Sequence, residues 1–261
     1  MFRQKRLIGV LSIIALVFAL AAGFIRHQYL LPIAMYHSVA PVVPEGNRLT
    51  VSVKTFERQM EFLKKHKYNA ISLDAAGELI KSGKKVPSRT LALTFDDGYE
   101  DNYTYAFPIL KKYNIPATVF IIVNEVGKPD RLTWEQMKEM QDSGLITFGS
   151  HSLSHPFLEC VEDDQKLIDE TAGSRKIIQE KLGKQVDTFS YPCGRLNARV
   201  RGYAVNAGYK VAVATNPGKK MANNDVFALK RLRISENAAN LFVFWAETSG
   251  YYNFIRENRH K

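Results

Sequence analysis

The chain alternates short apolar runs with amphipathic stretches. Phe56, Met60 and Leu63 recur at helical spacing, so this segment predicts an amphipathic helix. Residues 68–72 read as a strand, and residues 91–95 as a short apolar strand that runs straight into two aspartates. A helix is expected over 106–113 and a β-branched buried strand over 117–123. Thr133-Trp134-Glu135-Gln136 has the form of a capping box opening a further helix, which Gly144 closes. Residues 146–150 form a strand delivering His151, and 162–182 a long helix stopped at Gly183. Strands follow over 188–191, 209–214 and 229–234, with helices over 200–206 and from 241 to 247. Repeated strand–helix alternation argues for an α/β domain, a parallel sheet with its helices outside.

The first thirty residues follow a different pattern. Residues 7–25 carry no charge, with Arg3, Lys5 and Arg6 before them and Arg26 after. A run of that length can span a bilayer as a transmembrane helix, and the basic flank keeps its start in the cytoplasm. The expectation is therefore an N-terminal membrane anchor over 1–30 and one catalytic domain over 31–261, outside the cytoplasm. The rival is a signal peptide cleaved at the small residues around Ala21 and a secreted domain.

Composition adds limits. The 261 residues suit one domain with a sizeable core, and the formal net charge is +10. No basic block is interleaved with aromatics, which argues against nucleic acid as a partner. Anionic lipid, an anionic wall polymer or simply solvated basic helix faces account for the excess. Cys160 and Cys193 are the only cysteines, and they are expected to be unpaired.

Candidate chemistry gathers in two places. Thr94-Phe95-Asp96-Asp97-Gly98-Tyr99 supplies adjacent carboxylates, and His151-Ser152-Leu153-Ser154-His155 supplies two of only six histidines. Two imidazoles and one carboxylate make a ligand set for a divalent metal, with a carboxylate left over for proton transfer. Asp-Asp-Gly alone would read as a turn. Neighbouring strand residues face opposite ways, so the two aspartates can take different tasks. The donor set accommodates zinc, and also nickel, cobalt or manganese. These residues lie where predicted strands end, as catalytic groups do in parallel barrels.

With Phe189-Ser190-Tyr191-Pro192-Cys193-Gly194 and, more weakly, Asn206-Ala207-Gly208-Tyr209, these runs resemble the polysaccharide deacetylase family, also called NodB-homology or carbohydrate esterase 4. The resemblance extends from Pro32 to Ile234. It implies a distorted (β/α) barrel of about seven parallel strands and hydrolysis of N-acetyl groups on an amino-sugar polysaccharide. It assigns Asp97, His151 and His155 to the metal, Asp96 to the general base, and the Tyr191 amide to the oxyanion. It also gives Arg231 the task of orienting the base, with Arg233 competing for it. No histidine lies between His155 and His260, so the family's C-terminal Leu-x-His acid is missing. The Tyr36-His37 pair resembles the branch of poly-N-acetylglucosamine deacetylases, where an N-terminal histidine serves as the acid. The family's aspartate–tryptophan motif has no match, because Asp130 and Trp134 come too early. Trp134 and Trp245 are candidates for a sugar subsite or for the core. Competing readings are O-acetyl ester or cyclic imide hydrolysis on the same fold, and a non-catalytic carbohydrate-binding relative.

Overall fold

Alternation along the strands sorts side chains into two layers. In β5 (Thr90–Phe95), Leu91, Leu93 and Phe95 join the large apolar cluster beneath the helices, while Ala92 joins a smaller cluster inside the sheet. A computed structural model describes residues 29–215 and 225–252, with isolated positions between 14 and 26. Its main sheet has nine strands, and every described pairing in it is parallel.

The sheet curls into a near-barrel. β1 (Ile33–Tyr36) pairs with β5, and the order continues through β6 (Ala117–Ile121), β7 (Ile146–Ser150), β8 (Thr188–Ser190) and β9 (Val211–Ala214). One short segment then closes the ring. Its first part, β10 (Leu229–Lys230), pairs with β9, and its second part, β11 (Leu232–Arg233), pairs with β1. Arg231 sits at the joint, its N–H donating to Ala214 O at 3.0 Å. Counting 229–233 once, the ring has seven positions: β1, β5, β6, β7, β8, β9 and this segment. β4 (Asn69–Ile71) lies beside the first half of β5, outside the ring. β2 (Ser38–Ala40) and β3 (Thr50–Ser52) form a separate parallel pair.

Helices Val53–Lys65, Phe107–Tyr113, Trp134–Asp142, Ser174–Leu182 and Ala198–Asn206 bury apolar residues against the outer cluster. The capping box at Thr133 and Gln136 forms as the sequence implies. One helix departs from the expected arrangement. Leu73–Lys81 packs Leu73 and Ala76 into the inner cluster with Ile33, Phe120, Val211 and Leu229, and so plugs one end of the barrel. Gly77 permits this, because a Cβ there would lie 2.1 Å from Val211 Cγ2.

Among the described residues no helix is long and apolar enough to cross a membrane. Most of the expected anchor over 7–25 lies outside them.

Candidate active site

The end of the barrel opposite the plugging helix collects the polar residues. Asp96 follows β5 and is buried, its N–H donating to Tyr36 O at 3.0 Å. Arg231 reaches it from the closing joint. Nη1 donates to Asp96 Oδ1 at 2.6 Å, and Nη2 to Oδ2 at 2.5 Å. The guanidinium also donates to Thr94 Oγ1 and Ser190 Oγ, so four acceptors on two strand ends fix its plane. Burial pushes the Asp96 carboxyl up, but the Arg231 charge and hydrogen bonds, aided by His151, outweigh this and hold it well below the usual carboxylate range. Arg233 is exposed, so of the two arginines only Arg231 meets Asp96.

Asp97 begins a tight turn. It has φ 70° and Gly98 φ 63°, and a Cβ at Gly98 would come 2.9 Å from Ile121 Cδ1. Arg131 clamps the turn, donating from Nη1 to Asp97 O at 2.9 Å while its guanidinium lies 4.2 Å from the Tyr99 ring centroid. The turn aims the Asp97 carboxylate at both histidines. Asp97 Oδ1 is 3.5 Å from His151 Nε2 and 3.9 Å from His155 Nε2. Burial first, then the neighbouring Asp96 charge, raise the Asp97 carboxyl above its ordinary value.

His151 follows β7 and is buried. Its Nδ1 lies 2.8 Å from Ser190 O, an arrangement in which Nδ1–H donates and the Nε2 lone pair is left toward Asp97. Burial lowers its pKa to about 4, against the opposing pull of Asp96. The loop between the histidines is tied down by Glu170, a buried residue within the long helical stretch after the loop. Glu170 Oε2 accepts from the N–H groups of Leu153 and Ser154, both at 2.9 Å, and Oε1 accepts from Ser154 Oγ. His155 N donates to Ser152 Oγ at 2.9 Å.

His37 stands just past β1. The charges of Asp96, Asp97, Arg231 and His151 all act on it, with burial the largest influence and lowering its pKa. Asn102 Nδ2 donates to its carbonyl at 2.8 Å, and Ser38 beside it donates to Asp101. Its Nδ1 is buried without a hydrogen-bond partner among the described residues, so no contact fixes its tautomer.

Tyr191 departs from expectation. Its N–H, the donor expected for an oxyanion, is hydrogen-bonded to Val213 O at 3.1 Å as part of the sheet. Strand alternation sends its ring to the helix side against Phe189, and its hydroxyl donates to Phe227 O at 2.9 Å. The turn that follows leaves the sheet at Cys193, which has φ 56° and feels the Asp97 charge. Gly194 has φ 67°, and a Cβ there would overlap Thr215. Cys160 and Cys193 are both free and exposed. Trp134 packs against the outer cluster, whereas Trp245 is half exposed beside Phe242 on the last helix, Leu241–Thr248.

The Asp97, His151 and His155 ligand atoms lie within 4.8 Å of one another. Donors sharing one ion at about 2.0–2.2 Å stand about 3–4 Å apart, so these spacings suit a shared cation. The residues missed in the sequence are Glu170, Arg131 and Asn102. None belongs to the two motif runs, and only the fold brings them there.

Comparison with known proteins agrees. The polysaccharide deacetylase family description matches residues 83–212, a span that leaves out His37 and Arg231. YxkH of Bacillus subtilis (strain 168), itself assigned to the polysaccharide deacetylases, is 38% identical over 205 residues, 78% of this chain and 71% of that one. The poly-β-1,6-N-acetyl-D-glucosamine N-deacetylase of Staphylococcus aureus (strain N315) is 30% identical over 206 residues, 74% of this chain and 71% of its own. Among solved structures, the Streptococcus pyogenes deacetylase PplD in complex with acetate superposes with a TM-score of 0.74 at 32% identity, covering 82% of this chain and 96% of that one. The chain belongs to the polysaccharide deacetylase family, the hydrolases also called NodB-homology or carbohydrate esterase 4 enzymes.

Proposed function

We propose that this protein removes N-acetyl groups from a polymer of N-acetylglucosamine-type residues, and that it does so outside the cytoplasm with a divalent metal, zinc by preference. The observation that carries this is the grouping of Asp97, His151 and His155 around one point, with the Asp96–Arg231 pair and His37 beside it. The staphylococcal relative, by its name, acts on poly-β-1,6-N-acetyl-D-glucosamine, and that polymer is the first substrate to try.

Asp97, His151 and His155 would hold the ion. A divalent ion in such a site acts as a Lewis acid and acidifies a bound water. Asp96 takes a proton from the attacking water. Arg231 holds that carboxylate ionised and fixes its direction, so its acceptor orbitals are presented without reorganisation. His37 is the general acid for the departing sugar amine, which cannot leave as an anion. Its free tautomer leaves either ring nitrogen able to carry the proton. With the Tyr191 amide engaged in the sheet, the acyl oxygen takes its backbone donor from the Cys193 turn instead.

The apolar run over 7–25 and its basic flank support a membrane anchor for the domain. The function is tested by incubating the purified protein with oligomers of β-1,6-linked N-acetylglucosamine and measuring acetate together with new primary amines. Equal yields of the two support amide hydrolysis. Neither acetate nor amine from these oligomers, with acetate released from an O-acetylated oligomer instead, shows ester hydrolysis and overturns the proposal.

A further inference from the structure

The end of the barrel away from the site carries a run of basic residues, among them Arg89 just before β5. On the Arg89 side lie Lys64 and Lys65 at the end of helix Val53–Lys65, Lys67 just beyond, and Lys84 and Lys85 in the loop leading to β5. All six are exposed. Arg89 is tied to the Lys64–Lys67 turn, its Nη1 donating to His66 O at 3.2 Å and its carbonyl accepting from Asn69 N at 2.8 Å, and Lys84 and Lys85 lie in the loop that runs up to Arg89.

Two nearby lysines are neutralised: Lys81 pairs with Glu78, and Lys210 with Asp187. None of the six has a carboxylate partner among the described residues. A helix dipole favours cations in a last turn, which accounts for Lys64 and Lys65. It does not account for Lys67, Lys84, Lys85 and Arg89, which lie outside helices.

The chain enters the domain at this same end. The Arg26 guanidinium donates to Val86 O, within the loop that carries Lys84 and Lys85. Tyr29 OH donates to Thr90 O at 3.1 Å, and Leu30 N to Gly250 O at 2.9 Å. Arg26, the residue after the uncharged run over 7–25, thus lies at the basic patch.

We propose that this end of the barrel rests on a bilayer surface rich in anionic lipid, so that the active site opens away from the membrane. The proposal builds on the anchored reading above. The anchor brings the patch within a Debye length of the headgroups, where clustered lysines and arginines are attracted to anionic lipid. A substrate polymer would then approach from the side away from the bilayer.

The test uses the full chain in phosphatidylcholine vesicles, with and without about 30% phosphatidylglycerol. A water-soluble amine-acylating reagent is applied, and each lysine is followed by mass spectrometry. Lys64, Lys65, Lys67, Lys84 and Lys85 should label about fivefold more slowly on the anionic vesicles, and about 0.5 M salt should restore their rates. Lys54 and Lys128, toward the site end, should label alike on both. Equal labelling of the patch on both vesicles overturns the proposal. Protection by an added poly(glycerol phosphate) but not by anionic lipid also overturns it, and assigns the patch to a wall polymer. A chain that does not float with neutral vesicles at high salt refutes the anchor alone. Protection of the patch by anionic vesicles then still decides the present proposal.

Discussion

Arg231 meets Asp96 edge-on, its two terminal nitrogens donating to the two carboxylate oxygens at 2.6 and 2.5 Å. The pair ties the closing joint of the barrel to the end of β5. Fold closure and the ionisation of a buried carboxylate therefore depend on the same side chain.

Removing the guanidinium leaves Asp96 buried beside Asp97 without its counter-charge. Arg231→Ala should lose about 3–5 kcal/mol of stability in denaturant unfolding and nearly all turnover. Arg231→Lys keeps the charge and loses the fork, so it should fold better than the alanine variant yet turn over at least about tenfold more slowly than wild type. Wild-type turnover in the lysine variant would contradict an orienting role.

Glu170 holds the loop between the two histidines through three hydrogen bonds. Glu170→Ala should weaken zinc binding about 10- to 100-fold, measured by competition with a chromogenic chelator. Unchanged affinity would show that the loop keeps its shape without the carboxylate.

The hydroxyl of Tyr191 makes one hydrogen bond, to Phe227 O, on the helix side of the sheet. Tyr191→Phe should therefore cost about 1 kcal/mol of stability and leave turnover within about threefold of wild type. A hundredfold drop in turnover would give the hydroxyl a part in the chemistry.

Protonation gives a further check. In the metal-free protein His151 has a pKa of about 4, lowered mainly by burial, with His155 adding to the effect and Asp96 opposing it. The unfolded value is about 6.5. Between these limits the unfolded chain binds a proton that the folded chain does not. Stability should then fall as pH drops from about 6.5 to about 4 and level off below, a loss of order 3 kcal/mol. His37 is lowered too and acts in the same direction. A melting temperature constant across this window would contradict the buried, neutral state of His151.

Much of this was legible in the chain. The strand running into Asp96 and the strand delivering His151 are short apolar runs with polar ends, and such runs mark the carboxyl ends of barrel strands. The plugging helix was not legible. Gly77 weakens its helical signal, and nothing local states that Leu73 and Ala76 face a barrel interior. The 229–234 strand proved to be two short pieces split at Arg231, because one segment serves two neighbours at the closure. Tyr191 was misjudged for a related reason. Which backbone N–H groups a sheet engages depends on pairing, and β9 takes the Tyr191 donor. Glu170, Arg131 and Asn102 act through contacts distant in sequence or outside any motif, so only the folded chain shows them.

The central claim is that this constellation performs metal-assisted N-deacetylation, with Asp96 as base. It is tested most directly by assaying acetate release from β-1,6-linked N-acetylglucosamine oligomers with wild type, Asp96→Asn and His155→Ala, each after metal analysis. Wild type should carry about one divalent ion per chain and release acetate and amine in equal amounts. Asp96→Asn should keep the ion and fall at least about a hundredfold, while His155→Ala should lose both ion and activity. Full activity in Asp96→Asn, or undiminished metal and turnover in His155→Ala, would contradict the account.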